Sequence, residues 1–221
     1  MAAKTEQVAL VTGASSGIGE AAADELLGAG FNVYGTSRKA AAGENRNGIV
    51  FLPLDVTNDE SVAAVVREGL ERSGRIDLLV NNAGVGSSGA SEESSVAQDQ
   101  IVFDVNVFGL LRMTKAVLPH MRAQGSGRVV NMSSVGGFAP QPFMASYVSS
   151  KHAVEGYSES VDHEVREHGD RGGGDRPETE AALPRRLGGR PYQHAPPPRP
   201  CPDLRQADPQ DQQVQRFGER R

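Results

Sequence analysis

Short apolar runs alternate with longer amphipathic stretches along residues 1–169. The apolar runs predict β-strands, which we assign to residues 8–12, 32–36, 49–52, 77–81 and 128–132. The amphipathic stretches predict α-helices at residues 17–29, 59–72, 96–122 and 146–167. Such alternation is typical of βαβ units on a parallel sheet. The pattern therefore predicts an α/β protein with a doubly wound parallel sheet, whose strand carboxyl ends share one ligand-binding edge.

The alternation stops at Gly169, where the composition changes. Residues 170–221 hold 9 of the 13 prolines and 10 of the 23 basic residues, all of them arginine, but no apolar run of strand length. Because such a segment buries little apolar surface, it does not offset the entropy lost in ordering its backbone. We therefore predict a folded domain over residues 1–169 and a disordered, low-complexity Arg/Pro-rich tail over residues 170–221.

The charge balance and the cysteine content narrow the classes of function. With 23 basic and 28 acidic residues the chain is mildly acidic, which argues against binding to nucleic acid. The single cysteine, Cys201, has no partner for an internal disulfide, and the five histidines lack metal-ligand spacing. No run is long and apolar enough to cross a bilayer. We expect a cytoplasmic protein that acts on a small molecule, with no metal, no membrane and no nucleic-acid partner.

A glycine-rich turn follows the first predicted strand. It contains Gly13, Ser15, Ser16, Gly17, Ile18 and Gly19, and the helix-forming run EAAADELLGAG comes directly after it. Glycines between a strand and a helix let the backbone approach a pyrophosphate closely, and the helix N-terminus directs free N–H groups at its charge. The turn therefore predicts a dinucleotide site on a Rossmann-like fold. Ser15 and Ser16 bind phosphate in this interpretation, although helix capping explains them almost as well.

The segment at the end of the second predicted strand bears on the choice of dinucleotide. It reads Gly35-Thr36-Ser37-Arg38-Lys39 and has no acid for a ribose 2′-hydroxyl, which an NAD site usually provides. The cation of Arg38 instead suits a 2′-phosphate, although a solvated loop charge is the other explanation. We predict a preference for NADP over NAD.

Further motifs follow in a definite order and spacing. Asp55 follows the third predicted strand, Asn81-Asn82-Ala83-Gly84 closes the fourth, Ser134 follows the fifth, and Tyr147 and Lys151 form a YxxxK motif. Ser134 lies 13 residues before Tyr147, and Asn106 lies 41 residues before it. Together with the glycine turn, this arrangement resembles the short-chain dehydrogenase/reductase family, and the resemblance covers residues 1–169.

The resemblance implies an oxidoreductase that moves a hydride between NADP(H) and an alcohol or carbonyl substrate. It implies catalytic roles for Asn106, Ser134, Tyr147 and Lys151, and cofactor contacts from Asp55, Asn82, Ala83 and Gly84 in addition to Arg38, Tyr147, Lys151 and the glycine turn. Tyr147 would exchange a proton with the reacting oxygen, and Ser134 would hydrogen-bond that oxygen. Lys151 would bind the ribose, and Asn106 would position a water that connects Lys151 to solvent.

The YxxxK spacing has a physical rationale. It places Tyr147 and Lys151 one turn apart on the same helix face. A tyrosine with its ordinary pKa of about 10 is a poor base at neutral pH, but a neighbouring ammonium and a nicotinamide charge stabilise the phenolate. The alternatives are an ordinary helix-surface pair for these two residues, a helix-bending role for Asn106, and Ser133 in place of Ser134.

The substrate and the partners are less well defined. Residues 135–145, VGGFAPQPFMA, predict one wall of the substrate pocket, in which Phe138, Phe143 and Met144 favour an apolar alcohol or ketone. Core packing explains these side chains equally well. The resemblance also implies a homodimer formed through the helices that carry Asn106 and Tyr147.

The resemblance ends at the tail. The family continues with a sixth strand after the Tyr147 helix, so we expect a C-terminally incomplete sheet with an exposed edge beside the strand at 128–132. Two hypotheses explain the tail: out-of-frame translation of a GC-rich coding sequence, or a genuine disordered extension. The corresponding alternatives for function are a dinucleotide-binding pseudoenzyme and an inactive truncated product.

Overall fold

The computed structural model describes residues 6–169 and 178–182, with side chains for residues 6–165. The strands are β1 Val8–Val11, β2 Asn32–Ser37, β3 Glu44–Arg46, β4 Ile49–Pro53, β5 Leu78–Asn81, β6 Arg128–Met132 and β7 Glu178–Ala182. They form one sheet in the order β3-β4-β2-β1-β5-β6-β7. All neighbouring pairs are parallel except β3 with β4. The predicted α/β doubly wound fold is confirmed.

The helices are α1 Gly17–Gly28, α2 Asp59–Ser73, α3 Val96–Phe103, α4 Leu110–Gln124 and α5 Ala145–Gly169. The predicted single helix over 96–122 is divided, because a π-helical turn at Asp104–Gly109 separates α3 from α4. Local sequence sets several ends: Asn58 caps α2 by accepting from the Ser61 N–H at 2.7 Å, and Gly74 ends α2 with a left-handed φ of 72°.

The core lies on both faces of the sheet. On one face, α2 and α4 bury Val66, Met113 and Met121 against strand residues that include Leu10 and Leu79. On the other face, α1 buries Ala23 against a cluster that contains strand residues of β1, β2 and β4. Central strands that are covered on both faces are apolar throughout, so their short apolar runs allowed these strands to be predicted from the sequence.

The chain order of the strands reverses at β1. This strand pairs with β2 on one side and with β5 on the other, and both pairings are parallel. At such a point the connections that follow neighbouring strands run to opposite faces of the sheet, and this leaves a crevice outside the carboxyl ends of β1 and β5. The crevice is where the glycine turn and the segment 81–84 meet.

The carboxyl-terminal edge of the sheet corrects one expectation. We expected no strand after Gly169 and an unpaired edge at β6, but β7 pairs in parallel with β6, from Arg128 opposite Glu178 to Met132 opposite Ala182. The segment ETEAA can form a strand without an apolar run, because the backbone hydrogen bonds that hold a strand do not depend on side-chain type. The rest of the predicted tail, including Cys201, lies outside the described residues.

Candidate active site

A cleft of about 750 Å³ opens at the carboxyl edge of the sheet. Its lining includes residues of the glycine turn, of the segments after β2 and β4, and of the segment after β5: Gly13, Ser15, Ser16, Ile18, Arg38, Asp55, Asn82, Ala83 and Gly84. These are predicted cofactor-binding residues from four separate stretches of the sequence. Folding therefore brings them to one cavity, as the shared strand edge predicts.

The glycine turn is packed directly onto the segment after β5. Gly13 and Gly17 have φ values of 67° and 62°, in the left-handed region that favours glycine. A Cβ on Gly19 would lie 2.3 Å from both the Asn82 Nδ2 and the Gly13 carbonyl oxygen. Only a hydrogen fits at that position, so the start of α1 can approach β5 closely. Such a backbone cradle has the shape that a pyrophosphate group requires.

Thr12 joins the two halves of this cradle, although the sequence did not single it out. Its Oγ1 accepts hydrogen bonds from the Asn82 N–H at 2.9 Å and the Ala83 N–H at 3.0 Å. In return, the Asn82 Nδ2 donates to the carbonyl oxygens of Thr12 and Gly13 at 3.0 and 3.1 Å. The Asn82 side chain therefore shapes the turn. The signal available in the sequence was a threonine placed between an apolar strand and a glycine turn.

The serines and Ile18 lie at the open side of the turn. Ser15 and Ser16 are exposed, and Ser16 occupies the N-cap position of α1 without a side-chain capping bond. The capping explanation therefore lacks its hydrogen bond at Ser16, and the hydroxyl is free to meet a ligand. Ile18 is 67% exposed, which is unusual for an isoleucine in the first turn of a helix that lines a cleft.

Arg38 and Asp55 face the same end of the cleft. The Asp55 Oδ1 accepts from the Thr57 N–H at 2.9 Å and from the Thr57 hydroxyl at 2.7 Å. These two hydrogen bonds, followed by the charges of Arg38 and Arg112, lower the pKa of Asp55 against the opposing effect of its burial. Asp55 is thus held ionised by its own turn.

Tyr147 and Lys151 occupy the first turns of α5. Lys151 is buried, and its Nζ donates to the Met132 carbonyl oxygen of β6 at 2.7 Å. The same Nζ lies 5.8 Å from the centroid of the Tyr147 ring. Burial lowers the pKa of Lys151, and the negative charge of Glu155 opposes that effect. The predicted pair is therefore adjacent in space, with its ammonium inside the protein and its phenol only half-buried.

Ser134 lies opposite the tyrosine ring. A Cβ built on Gly136 would be 3.6 Å from the Ser134 Oγ and 3.6 Å from the Tyr147 Cε1. The Ser134 hydroxyl and the Tyr147 ring are therefore both close neighbours of Gly136. Ser133 faces elsewhere: its Oγ would lie 2.7 Å from a Cβ on Gly137, on the side of Glu155. Of the two adjacent serines, Ser134 is the one beside Tyr147.

Asn106 connects three elements from within the π-helical turn. Its Oδ1 accepts from the Val85 N–H at 2.8 Å, and its Nδ2 donates to the Val85 carbonyl oxygen at 2.9 Å and to the Ser150 Oγ at 3.1 Å. Both Nδ2 hydrogens are used. The Asn106 side chain thus fastens the loop after β5 to α5. Because both Nδ2 hydrogens are used in these contacts, they are not available to the water that we expected Asn106 to position.

A buried polar network supports the strand ends beneath the cleft. Asn81 donates to Thr114 at 3.1 Å and to the Asn131 Oδ1 at 2.9 Å, and Asn131 donates to Ser158 at 2.9 Å. The network links β5 and β6 to α4 and α5. Asn81 stood out in the sequence only through its motif, and the other three residues did not stand out, because a polar residue carries no sign of a partner that is distant in the chain.

A second cavity, of about 340 Å³, lies beside the start of α5. Its lining combines serines of the loop after β5 with Gln98, Asp99, Phe143 and Ser146. Ser146 donates a hydrogen bond to the Asp99 carboxylate, and the Gly89 N–H donates to the Phe143 carbonyl oxygen at 2.8 Å. The first bond joins α5 to α3, and the second joins the loop after β5 to the loop before α5, next to Tyr147. Phe138 and Phe143 are 53% and 67% exposed, so neither is a core residue.

Neither a metal-ligand cluster nor a membrane-spanning helix is found in the described part of the chain. Within residues 6–169 and 178–182, no three His, Cys, Asp or Glu residues are grouped as metal ligands. None of the helices in that part has the length and apolar character needed to cross a bilayer. The predicted cytoplasmic location remains a prediction.

Comparison with known proteins agrees with this architecture. The family model for short chain dehydrogenases matches residues 7–171. The chain is 45% identical over 159 residues to the 3-ketodihydrosphingosine reductase of Bacteroides thetaiotaomicron, and the alignment covers 72% of this chain and 58% of that protein. The chain therefore spans less than two thirds of the length of this relative.

Solved structures extend the similarity to three dimensions. A short chain dehydrogenase/reductase from Burkholderia phymatum in complex with NAD has a TM-score of 0.70 and 32% identity, covering 79% of this chain and 63% of that one. ElxO with NADP bound has a TM-score of 0.68 and 32% identity, covering 72% and 68%. Since a family model matches most of the chain and the solved relatives share its fold, the chain belongs to the short-chain dehydrogenase/reductase family of oxidoreductases.

Proposed function

We propose that the protein transfers a hydride between NADP(H) and an alcohol or carbonyl substrate, with Tyr147 as the general acid/base. The observation that carries the proposal is the proximity of the Ser134 hydroxyl to the Tyr147 ring, since each would lie 3.6 Å from a Cβ on Gly136. Lys151 lies one turn behind the ring with a buried ammonium. A reacting oxygen that contacts both the Ser134 hydroxyl and the Tyr147 phenol would meet a hydrogen-bond donor and a proton-exchanging group together.

The cleft fits a nicotinamide dinucleotide. Its glycine turn is a cradle that a Cβ would fill, and the N–H groups at the start of α1 are available to a pyrophosphate. When bound, the nicotinamide supplies or accepts the hydride. Arg38 and Lys39 line the end of the cleft near Asp55, and two cations there favour a ribose 2′-phosphate. One solved relative carries NAD and another NADP, so the NADP preference rests on Arg38.

The chain's own residues perform the proton chemistry. During carbonyl reduction, Tyr147 donates its phenolic proton to the substrate oxygen, and Ser134 hydrogen-bonds the same oxygen as charge develops on it. The positive charge of Lys151 stabilises the resulting phenolate. Asn106 holds the loop after β5 against Ser150, in the same helical turn as Lys151, and so keeps the ammonium in register with the cleft. Alcohol oxidation uses the same groups in reverse.

An apolar ketone or alcohol is the substrate class that we propose. The exposed rings of Phe138 and Phe143 lie on the loop between Ser134 and Tyr147, where an apolar chain would cover them. A similar protein, the 3-ketodihydrosphingosine reductase, is named for a ketone substrate.

We also propose a homodimer through the helices that carry Asn106 and Tyr147. The side chain of Phe108, two residues after Asn106, is half-exposed and is available for such a contact.

The test compares two identical substitutions on the same helix. Tyr147→Phe removes the proposed acid/base, whereas Tyr157→Phe removes a hydroxyl that hydrogen-bonds to Thr114, away from the cleft. We expect Tyr147→Phe to lower kcat by about two to four orders of magnitude in NADPH consumption with a panel of ketones, because general acid catalysis is lost. Fluorescence of bound NADPH should remain, and Tyr157→Phe should retain turnover.

Three outcomes would contradict the proposal. Unchanged turnover in Tyr147→Phe would remove the acid/base assignment. NADPH binding by the wild-type chain without turnover of any substrate in the panel would favour the dinucleotide-binding pseudoenzyme, and absence of both would favour the inactive truncated product.

A further inference from the structure

Glu155 lies on α5, one helical turn beyond Lys151, and has no role in the chemistry described above. Its Oε1 is buried without a hydrogen-bond partner among the described residues, and so is the Oγ of Ser133. An ionised oxygen removed from water in this way is costly unless an opposite charge compensates it. The position of Glu155 therefore requires an explanation.

Gly137 makes room for this carboxylate. A Cβ on Gly137 would lie 3.1 Å from the Glu155 Oε1 and 2.7 Å from the Ser133 Oγ. Any side chain at position 137 would therefore displace one of the two groups. The turn after β6 thus holds Glu155 close to the serine that precedes Ser134, on the inner side of the turn.

Lys151 is a buried cation whose hydrogen-bond partner carries no charge. Its ammonium is buried, and the partner that it contacts is the neutral carbonyl oxygen of Met132. Among residues 6–165, the titratable groups that act on it are Tyr147, whose ring is 5.8 Å away, and Glu155. On β7, the residue opposite Met132 is Ala182, and Glu178 and Glu180 pair with residues further back along β6.

We propose that Glu155 is the counter-charge of Lys151, a positioning residue that keeps the catalytic ammonium charged inside the protein without contacting substrate or cofactor itself. The proposal rests on the function proposed above, in which the positive charge of Lys151 serves binding and catalysis. Residues four apart on a helix are neighbours on one face, so the two charges attract each other, and the burial of Lys151 and of the Glu155 Oε1 strengthens that attraction.

The consequence is a definite pH dependence. Burial lowers the pKa of Lys151, and the charge of Glu155 acts in the opposite direction. Removing that charge should therefore lower the pKa of Lys151 further. Activity that requires a charged Lys151 is lost as the pH rises through this pKa, so the alkaline loss should begin at a lower pH in Glu155→Gln.

The first experiment observes Lys151 directly and needs no turnover. The chain has four lysines, Lys4, Lys39, Lys115 and Lys151, so lysine labelled with carbon-13 at Cε gives few NMR signals, and Lys151→Arg identifies the signal of Lys151. Titration of the full-length protein without cofactor should show a Lys151 pKa lower by about one pH unit in Glu155→Gln, as expected for opposite charges one turn apart. Glu155→Asp should retain most of the wild-type value.

Matched controls lie on the same helix. Glu159→Gln removes an exposed carboxylate one turn further along, and Gly156→Ala adds a methyl group that would have no neighbour within 4 Å. Both should leave the Lys151 titration unchanged. An unchanged Lys151 pKa in folded Glu155→Gln would overturn the proposal.

The second experiment connects the charge to catalysis. In Glu155→Gln the alkaline limb of the kcat profile should move to lower pH by the same amount as the NMR titration, with wild-type kcat largely kept at pH values where Lys151 is charged. A lowered melting temperature without a shift of the limb would mean a structural role only. If the wild-type chain shows no turnover, the proposed function fails, while the NMR titration still decides the role of Glu155.

Discussion

Two adjacent serines with different surroundings illustrate how single residues acquire their roles here. Ser133 and Ser134 are equivalent in the sequence except for their distance from Tyr147. In the fold, the Ser134 Oγ accepts from the Gly136 N–H at 3.1 Å and faces the tyrosine ring, whereas the Ser133 Oγ is buried near Glu155. The turn after β6 therefore gives one hydroxyl to the proposed active site and the other to its support.

Arg38 allows a prediction at the same scale. Arg38→Asp replaces the cation at the proposed 2′-phosphate position by an acid that suits a ribose 2′-hydroxyl. We expect affinity for NADPH to fall by about 10- to 100-fold, since hydrogen bonds to charged groups contribute about 1.5–3 kcal/mol, and affinity for NADH to rise. Dissociation constants for both cofactors, measured by fluorescence titration, provide the check.

An exposed arginine outside the cleft serves as the control. Arg67 lies on α2, and Arg67→Asp makes the same change of charge without changing the lining of the cleft. It should leave both dissociation constants unchanged. Equal weakening of NADPH and NADH by Arg38→Asp would mean that Arg38 supports the fold rather than reading the 2′ position.

Among the elements, the contact between the glycine turn and the end of β5 matters most for the site. Gly19 opens the way for α1, and Thr12 and Asn82 exchange hydrogen bonds across the gap. The division of the predicted long helix at Asp104–Gly109 has a similar effect, because the π-helical turn directs Asn106 at the loop after β5. Such turns frequently occur at functional sites.

Gly19→Ala tests the close approach of α1. The new methyl group would lie 2.3 Å from the Gly13 carbonyl oxygen and from the Asn82 amide, so backbone must move. We expect loss of NADPH binding and a destabilisation of about 1–3 kcal/mol, measured by fluorescence and by urea denaturation. Gly28→Ala, at the other end of α1 with no neighbour within 4 Å, should leave binding intact. Normal binding by Gly19→Ala would refute the close-approach argument.

For the whole molecule, β7 changes the expected state of the sheet. The sequence pattern predicted an unpaired β6, which would expose a row of backbone donors and acceptors to other chains. Instead, β7 pairs with β6 along Arg128–Met132. The compact unit that contains the sheet ends at Arg185.

Two shortened chains test the contribution of β7. A chain ending at residue 185 keeps the strand, and a chain ending at residue 169 lacks it. We expect the longer one to match the melting temperature and solubility of the full chain, and the shorter one to melt lower and aggregate, because its β6 edge is unpaired. Light scattering during thermal unfolding measures both. Equal behaviour of the two chains would mean that the pairing adds no stability.

The sequence by itself determined the fold class, five of the seven strands in the described residues, the glycine turn and the family resemblance. These follow from local periodicity and from motif spacing, both of which can be read from the order of residues alone. Only the tertiary structure decided which serine lies beside Tyr147, what Asn106 holds, that β7 completes an edge, and that the Lys151 ammonium and the Glu155 Oε1 are both buried. Those features depend on contacts between residues distant in the chain or on backbone pairing indifferent to side-chain type, and neither leaves a pattern in the order of amino acids.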